Sequence, residues 1–302
     1  MIKAKKQKLI TTLNQKNRLF LIPYFSKLKN ERDYEEFIEK VIDTLLKYSK
    51  IYGDSLEIIA EIYNNYYMEY LELQSDFIKK GQYKYNDFNT LNQNLSSDFH
   101  KNYIYILLLS FMTTTYRFDM IKFISRSMDN LLEDNSEIGL EIGFGTGVDL
   151  DDNLKFFKQY EVYDLNPHSE MIFNLCFKEK EKINFHKQFY QFKEHNSYTY
   201  IQFIELLEHI EYPELYVNKA HDVLKFGGIL IFTAAVNMAN IDHIYLFNSK
   251  KAVKDLINID KWKIIAEEYF INSLLKYPKE KINAIIENNS SPYIVTYVLK
   301  KI

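Results

Sequence analysis

From about Glu31 to Leu132 the apolar positions recur with a helical period. Phe37, Ile38, Val41, Ile42, Leu45 and Leu46 fall at i, i+3, i+4 spacing, which predicts an amphipathic helix. A second helix is predicted to begin near Asp54 and Ser55, two good N-cap residues. It continues through Ile58, Ile59, Ile62, Tyr66 and Tyr70 and stops at Gly81, a residue that adopts the left-handed conformation at helix ends. The polar stretch "GQYKYNDFNTLNQNLSSD" separates it from a third helical region, about His100 to Leu132.

After Glu133 the pattern changes to short β-prone runs alternating with helical segments. The runs are "EIGLEIG", "YEVYDL", "KINFHKQF", "YTYIQFIEL", "GGILIFTAAV", "KWKIIAEEYF" and "YIVTYVLKK". Such alternation predicts βαβ units and a mainly parallel, twisted sheet with helices on both faces, an α/β fold. The chain is therefore divided into a helical region, 1–132, and a sheet domain, 133–302. No internal repeat or low-complexity linker lies between them, so the two are expected to pack together.

Half of the eight glycines fall in one window of the first predicted strand and its following turn, at Gly139, Gly143, Gly145 and Gly147. A strand, a glycine turn and a helix in that order deliver backbone to the carboxyl end of the sheet, where doubly wound folds bind ligands. The dinucleotide pattern Gly-x-Gly-x-x-Gly fails, because Val148 stands where its last glycine belongs. The phosphate-loop pattern fails too, since no Gly-Lys-Ser/Thr follows.

What remains, Glu141-x-Gly143-x-Gly145-x-Gly147, resembles the first motif of the class I S-adenosylmethionine-dependent methyltransferases. Two further stretches carry the likeness: "VYDLNP", whose Asp164 stands seventeen residues beyond Gly147, and "FIELLEHIEYPELYVNKAHDVLKFGGILIFTAAVN", in which Phe226 replaces the family's proline. The resemblance runs from about residue 137 to 302. It implies a Rossmann-like, doubly wound, seven-stranded sheet preceded by the helical region, with S-adenosyl-L-methionine as cofactor and S-adenosyl-L-homocysteine as product.

By this resemblance Glu141, Gly143, Phe144, Gly145 and Gly147 form the cofactor loop and Asp164, followed by Leu165, is the ribose-binding acid. Gln188 stands where an aspartate often faces the adenine, and its amide could both donate and accept there. Ile204 and Glu205 close the set after the fourth strand, which begins with Thr199 where the family commonly has an aspartate.

Candidate catalytic residues are His209, just after the fourth strand, and Asp242 with His243, just after the fifth. Each imidazole is a possible base for an oxygen acceptor, and Asp242 is expected to favour the charged form of His243. The alternatives are a helix-capping role for His209 and a solvated turn for Asp242 and His243. His168 reads as a helix-start residue, and His100, His186, His195 and His221 show no ligand spacing, so no metal is expected. Tyr66 and Tyr70, and Tyr116 with Arg117 in "TTTYRFDM", are candidates for the acceptor pocket. Packing tyrosines and an exposed helix arginine are the plainer readings.

Composition narrows the partners. Thirty-eight basic and forty-one acidic side chains leave a formal charge of -3, which gives no field for nucleic acid or an anionic membrane. The single cysteine, Cys176, excludes an internal disulfide and suits a reducing compartment. The apolar run "YIYILLLSFM" is shorter than the roughly 20 residues of a spanning helix, and the start does not read as a secretory signal, so a cytoplasmic location is expected. The expected function is methyl transfer to a small-molecule acceptor, most directly on oxygen. Alternatives are transfer to nitrogen of a small molecule, a nucleic-acid or protein methyltransferase, and a cofactor-binding scaffold without catalysis.

Overall fold

The structure, a computed structural model, describes residues 2–135, 137–148, 150–177, 179–191, 197–271 and 278–302. His195 and Asp149 lie outside the described residues. The N-terminal region is helical: α1 Ile2–Lys16, α2 Ile22–Asn30, α3 Arg32–Tyr52, α4 Leu56–Lys80, α5 Phe88–Asn94, α6 Phe99–Thr113 and α7 Tyr116–Leu131. The ends of α4 follow from its sequence. Ser55 accepts a hydrogen bond from the Ile58 amide at the start, and Gly81 takes the left-handed conformation at the end. The third helical region, expected from about His100 to Leu132, holds two helices separated at Thr114, whose hydroxyl and amide both turn back to the Ser110 carbonyl.

All seven β-prone runs are strands of one sheet: β1 Glu137–Ile142, β2 Phe157–Tyr163, β3 Ile183–His186, β4 Tyr198–Phe203, β5 Leu224–Val236, β6 Trp262–Ile271 and β7 Tyr293–Lys301. Their order is β3-β2-β1-β4-β5-β7-β6. The first five pair in parallel, while β7 runs antiparallel between β5 and β6. The helices α8 Pro167–Cys176, α9 Pro213–Val223, α10 Lys250–Lys254 and α11 Lys279–Asn288 complete the domain.

Alternate residues of the central strands feed two cores, as the period of two along a strand requires. Ile229 and Ile231 of β5 face the core shared with α1, α3, α4, α6 and α7, whereas Leu230 and Phe232 face the core shared with α9. The helical region and one whole face of the sheet thus bury a single continuous apolar cluster. At the sheet edge, β6 carries Lys263, Glu267 and Glu268, charges that discourage pairing with another chain.

Two expectations are corrected. Among the described residues no α-helix follows the glycine turn; a 3₁₀ turn, Asp151–Phe156, leads directly into β2. Nine residues separate Gly147 from Phe157, and "VDLDDNLKF" is rich in aspartate, which competes for backbone amides rather than extending a helix. In addition, "LKFGG" is no separate turn before a strand: Leu224 pairs with Tyr198 and Ile229 with Tyr200, so the residues between bulge out of β5. Phe226 stands at the tip of this bulge, 83% exposed, where a proline is not required for the pairing.

Candidate active site

The strand order reverses between β1 and β4, the point where a doubly wound sheet opens a crevice at its carboxyl edge. The glycine loop leaves β1 there and residues 204–209 leave β4 beside it. Gly145 has φ +56°, a conformation costly for other residues, and among the described residues only Leu107 Cδ1, at 3.5 Å, comes within 4 Å of its missing side chain. Gly147, φ +57°, has another purpose: a β-carbon there would meet the Phe144 ring at 2.2 Å. Gly145 therefore leaves space for a ligand, and Gly147 makes room for Phe144.

Asp164, at the end of β2, fastens this loop. Its Oδ2 accepts the Gly145 amide at 2.7 Å and its Oδ1 accepts the Asn166 amide at 2.8 Å. Burial raises the carboxyl above its ordinary range despite these bonds. Each carboxylate oxygen retains a lone pair for a further donor, as recognition of a ribose diol needs.

Two adjoining cavities share Gly143, Asp164, Leu206 and His209. The larger, about 410 Å³, is lined by Asp164, Leu165, Gln188 and Phe189, a polar entrance beside apolar walls. The other, about 280 Å³, brings together Glu141, Gly143, Phe144, Gly145, Ile204, Glu205, His209, Asp242, His243, Tyr66, Tyr70, Tyr116 and Arg117. Apart from Gly147, which lines neither, the proposed site residues thus converge on one crevice. An adenosine end and a sulfonium end fit its two parts: carboxylate and amide in the first, an open glycine backbone in the second.

Arg117 is not the exposed helix arginine of the plainer reading. Its side chain is 13% exposed, and Nη2 donates to Glu205 Oε2 at 2.5 Å. Burial opposes its charge, but Glu205 outweighs this and holds the guanidinium protonated. Glu205 itself stands at φ +51°, unusual for a residue with a side chain, and its amide is held by Thr233 Oγ1 at 2.6 Å. The pair closes one side of the smaller cavity; Glu205 Oε1 and Arg117 Nε, both buried, have no hydrogen-bond partner.

A second polar group forms the far wall. The Glu208 carbonyl accepts the amides of Ile244 and Tyr245, which brings the segment after β5 against the segment after β4. His209 Nδ1 lies 2.9 Å from the Asp242 carbonyl, and His243 Nδ1 lies 2.7 Å from the Met238 carbonyl. In both rings Nδ1–H donates to a carbonyl, which leaves Nε2 with its lone pair. Glu208 is 1% exposed, and its Oε2 has no hydrogen-bond partner among the described residues.

Asp242 does favour charge on His243, as expected, but burial and the adjacent His209 outweigh it. The Asp242 carboxylate faces His209, Oδ2 to Nδ1 at 3.5 Å, and not its sequence neighbour. Burial opposes charge on His209, yet Asp242 and Glu208 together raise its pKa, while burial and the adjacent His209 lower His243 to about 4. Burial also pushes the Glu208 carboxyl up to about 7.

Sequence reasoning overlooked Glu208 and Tyr103. The Glu-His pair in "LLEHI" placed Glu208 beside a candidate base, the only signal available for it. Tyr103 sat in an apolar run read as buried helix, but its hydroxyl reaches Asp242 and lines the same cavity.

Residues 115–264 match a family model described as a methyltransferase domain. No curated protein matches the chain. Among solved structures it is similar to the N-methyltransferase NodS from Bradyrhizobium japonicum WM9 in complex with S-adenosyl-L-homocysteine. That likeness has 13% identity and a TM-score of 0.49 and covers 72% of this chain and 98% of that one. It is also similar to geranyl diphosphate C-methyltransferase from Streptomyces coelicolor A3(2), at 11% identity and a TM-score of 0.49, over 73% and 90% of the two chains. Neither carries its acceptor over to this protein. With the matched domain, the Glu-x-Gly-x-Gly-x-Gly loop and the acid after β2 in one crevice, the chain belongs to the class I S-adenosylmethionine-dependent methyltransferases.

Proposed function

We propose that the protein transfers the methyl group of S-adenosyl-L-methionine to a hydroxyl of a small-molecule acceptor. The observation that carries this reading is the juxtaposition of Gly145 with Glu208, His209, Asp242 and His243 around one small cavity. Adenosine occupies the cavity of Asp164, Leu165 and Gln188, and the sulfonium lies against the glycine loop. Methyl transfer is an in-line displacement, so the walls contribute by holding acceptor oxygen, methyl carbon and sulfur in line.

The acceptor enters from the helical side, between Tyr66, Tyr70 and Tyr116. Its hydroxyl faces the lone pairs of the two imidazoles and the carboxylates of Glu208 and Asp242, which draw off its proton as the oxygen–carbon bond forms. The cavity volume of about 280 Å³ suits a small molecule better than a polymer segment.

Calorimetry with S-adenosyl-L-homocysteine followed by a labelled-methyl screen of hydroxyl, amine and carbon acceptors tests the reading. Cofactor binding with label in a hydroxyl compound supports it. Label confined to nitrogen or carbon overturns the oxygen assignment, and binding without transfer to any acceptor points to a scaffold.

A further inference from the structure

Resting on that reading, we infer that Glu208, His209 and His243 bind a first-row divalent metal cation at the acceptor end of the cavity. The three residues come from two separate segments, and their ligand atoms lie within 4.8 Å of one another. The rings meet edge to face, with centroids 4.8 Å apart, so they are close without stacking. A cation about 2.0–2.2 Å from imidazole nitrogen and carboxylate oxygen would draw the ligand atoms in to roughly 3.4 Å from one another, within reach of side-chain rotation.

The surroundings support ligation independently of spacing. Metal-binding histidines donate their second N–H to a carbonyl or carboxylate, which fixes the tautomer and aims the other nitrogen. Both histidines meet that condition here, through the carbonyls of Asp242 and Met238. Glu208 Oε2 is a buried acceptor without a donor, as is Asp242 Oδ1 beside it. Buried carboxylate oxygens are costly when unpaired, and a cation is a partner that satisfies them.

Two neutral imidazoles with one carboxylate suit Mn²⁺, Fe²⁺, Co²⁺ or Zn²⁺ better than Mg²⁺ or Ca²⁺, which prefer oxygen alone. Three protein ligands leave coordination positions open toward the cavity. An acceptor with a hydroxyl oxygen fits them; a cation there would favour loss of its proton. With the imidazole lone pairs given to the cation, the proton passes to Asp242 rather than to a ring nitrogen; its Oδ1 is a buried acceptor without a donor among the described residues.

The test uses the whole protein, stripped with a chelator and returned to chelator-free buffer. Mn²⁺ is titrated and followed by loss of the free-ion electron paramagnetic resonance signal, and Zn²⁺ by calorimetry. One site per chain is expected, with a rise in melting temperature on addition. His243→Asn, His209→Gln and Glu208→Gln should each weaken binding by roughly 100-fold or more, since even the outer partners of metal ligands are worth about 10–100-fold.

A single cooperative unfolding transition in urea serves as the folding control for each variant. No stoichiometric uptake by the folded protein, or uptake unaffected by all three substitutions, overturns the inference. Cation uptake without methyl transfer would leave the metal site standing and remove the proposed activity. Methyl transfer by the stripped protein with no uptake would do the reverse.

Discussion

Arg117 on α7 and Glu205 at the end of β4 form an ion pair of 2.5 Å that joins the helical cover to a strained point of the sheet. Removing one member leaves the other charged and buried, a change that costs about 3–5 kcal/mol. Arg117→Met is therefore expected to lower unfolding stability by an amount in that range in urea titrations. Adding Glu205→Gln should recover part of the loss, because the orphaned charge is gone. Equal stability of the single variant and the native protein would show that the pair contributes nothing.

Asp164 serves the loop before it serves a ligand, since both its oxygens hold backbone amides. Asp164→Ala should weaken S-adenosyl-L-homocysteine binding by about 1–3 kcal/mol, the scale of hydrogen bonds to a charged group. Isothermal titration checks this, and unchanged affinity in a folded variant removes Asp164 from the cofactor site.

Gly145→Leu should abolish cofactor binding while the protein still unfolds in one cooperative transition. Its side chain would project into the cavity from a residue at φ +56°. Gly147→Leu provides the contrast, because there the clash falls on the Phe144 ring and the loss should appear chiefly as a lower melting temperature. If both variants bind normally, the loop does not face the cofactor.

Tyr66 and Tyr70 belong to the helical wall, apart from the loop and Asp164. Tyr66→Phe and Tyr70→Phe should raise the acceptor KM and leave cofactor affinity within about threefold, a split that removal of acceptor contacts produces. Parallel weakening of both ligands would place these rings at the cofactor instead.

His168 gives a pH signature outside the crevice. Its Nδ1 lies 2.9 Å from the Tyr48 hydroxyl and 2.8 Å from that of Tyr52. Burial and the nearby His100 and Lys101 lower its pKa below the ordinary 6.5. A depressed histidine pKa means the unfolded chain takes the proton first. Its contribution is therefore full above about pH 6.5 and is lost as pH falls through that value toward the folded one. The stability difference between native protein and His168→Gln should shrink in urea titrations between neutral pH and pH 5, and a difference that grows instead would reverse the sign.

The sheet was the legible part of the sequence because each strand announced itself by local pattern. Runs such as "GGILIFTAAV" need nothing distant to be read as buried strand, and the acid of "VYDLNP" follows its glycine loop at a fixed interval. Asp164 and Gly145, both expected at the cofactor site from their motifs, line one crevice, and the hydrogen bond between them carries no sequence signal. What stayed hidden depends on long-range contact. His209 and His243 are thirty-four positions apart in the chain, and the amides of Ile244 and Tyr245 on the Glu208 carbonyl, with His209 Nδ1 on the Asp242 carbonyl, bring them edge to face. Arg117 looks like a surface residue on a helix until β4 supplies its counter-ion. The missing helix after Gly147 was a failure of analogy: the family pattern outweighed the nine residues actually present.

The apolar cluster common to the helices and one face of the sheet limits how the protein can be re-engineered. Leu45, Tyr105, Tyr160 and Ile231 lie in the same interior although they come from both halves of the chain. Exchanging residues 1–132 for the corresponding segment of a relative would expose that face of the sheet, not simply alter the acceptor. A transplant would have to carry the matching strand residues with it, so new acceptor preferences are better sought by single changes along the cavity wall than by swapping modules.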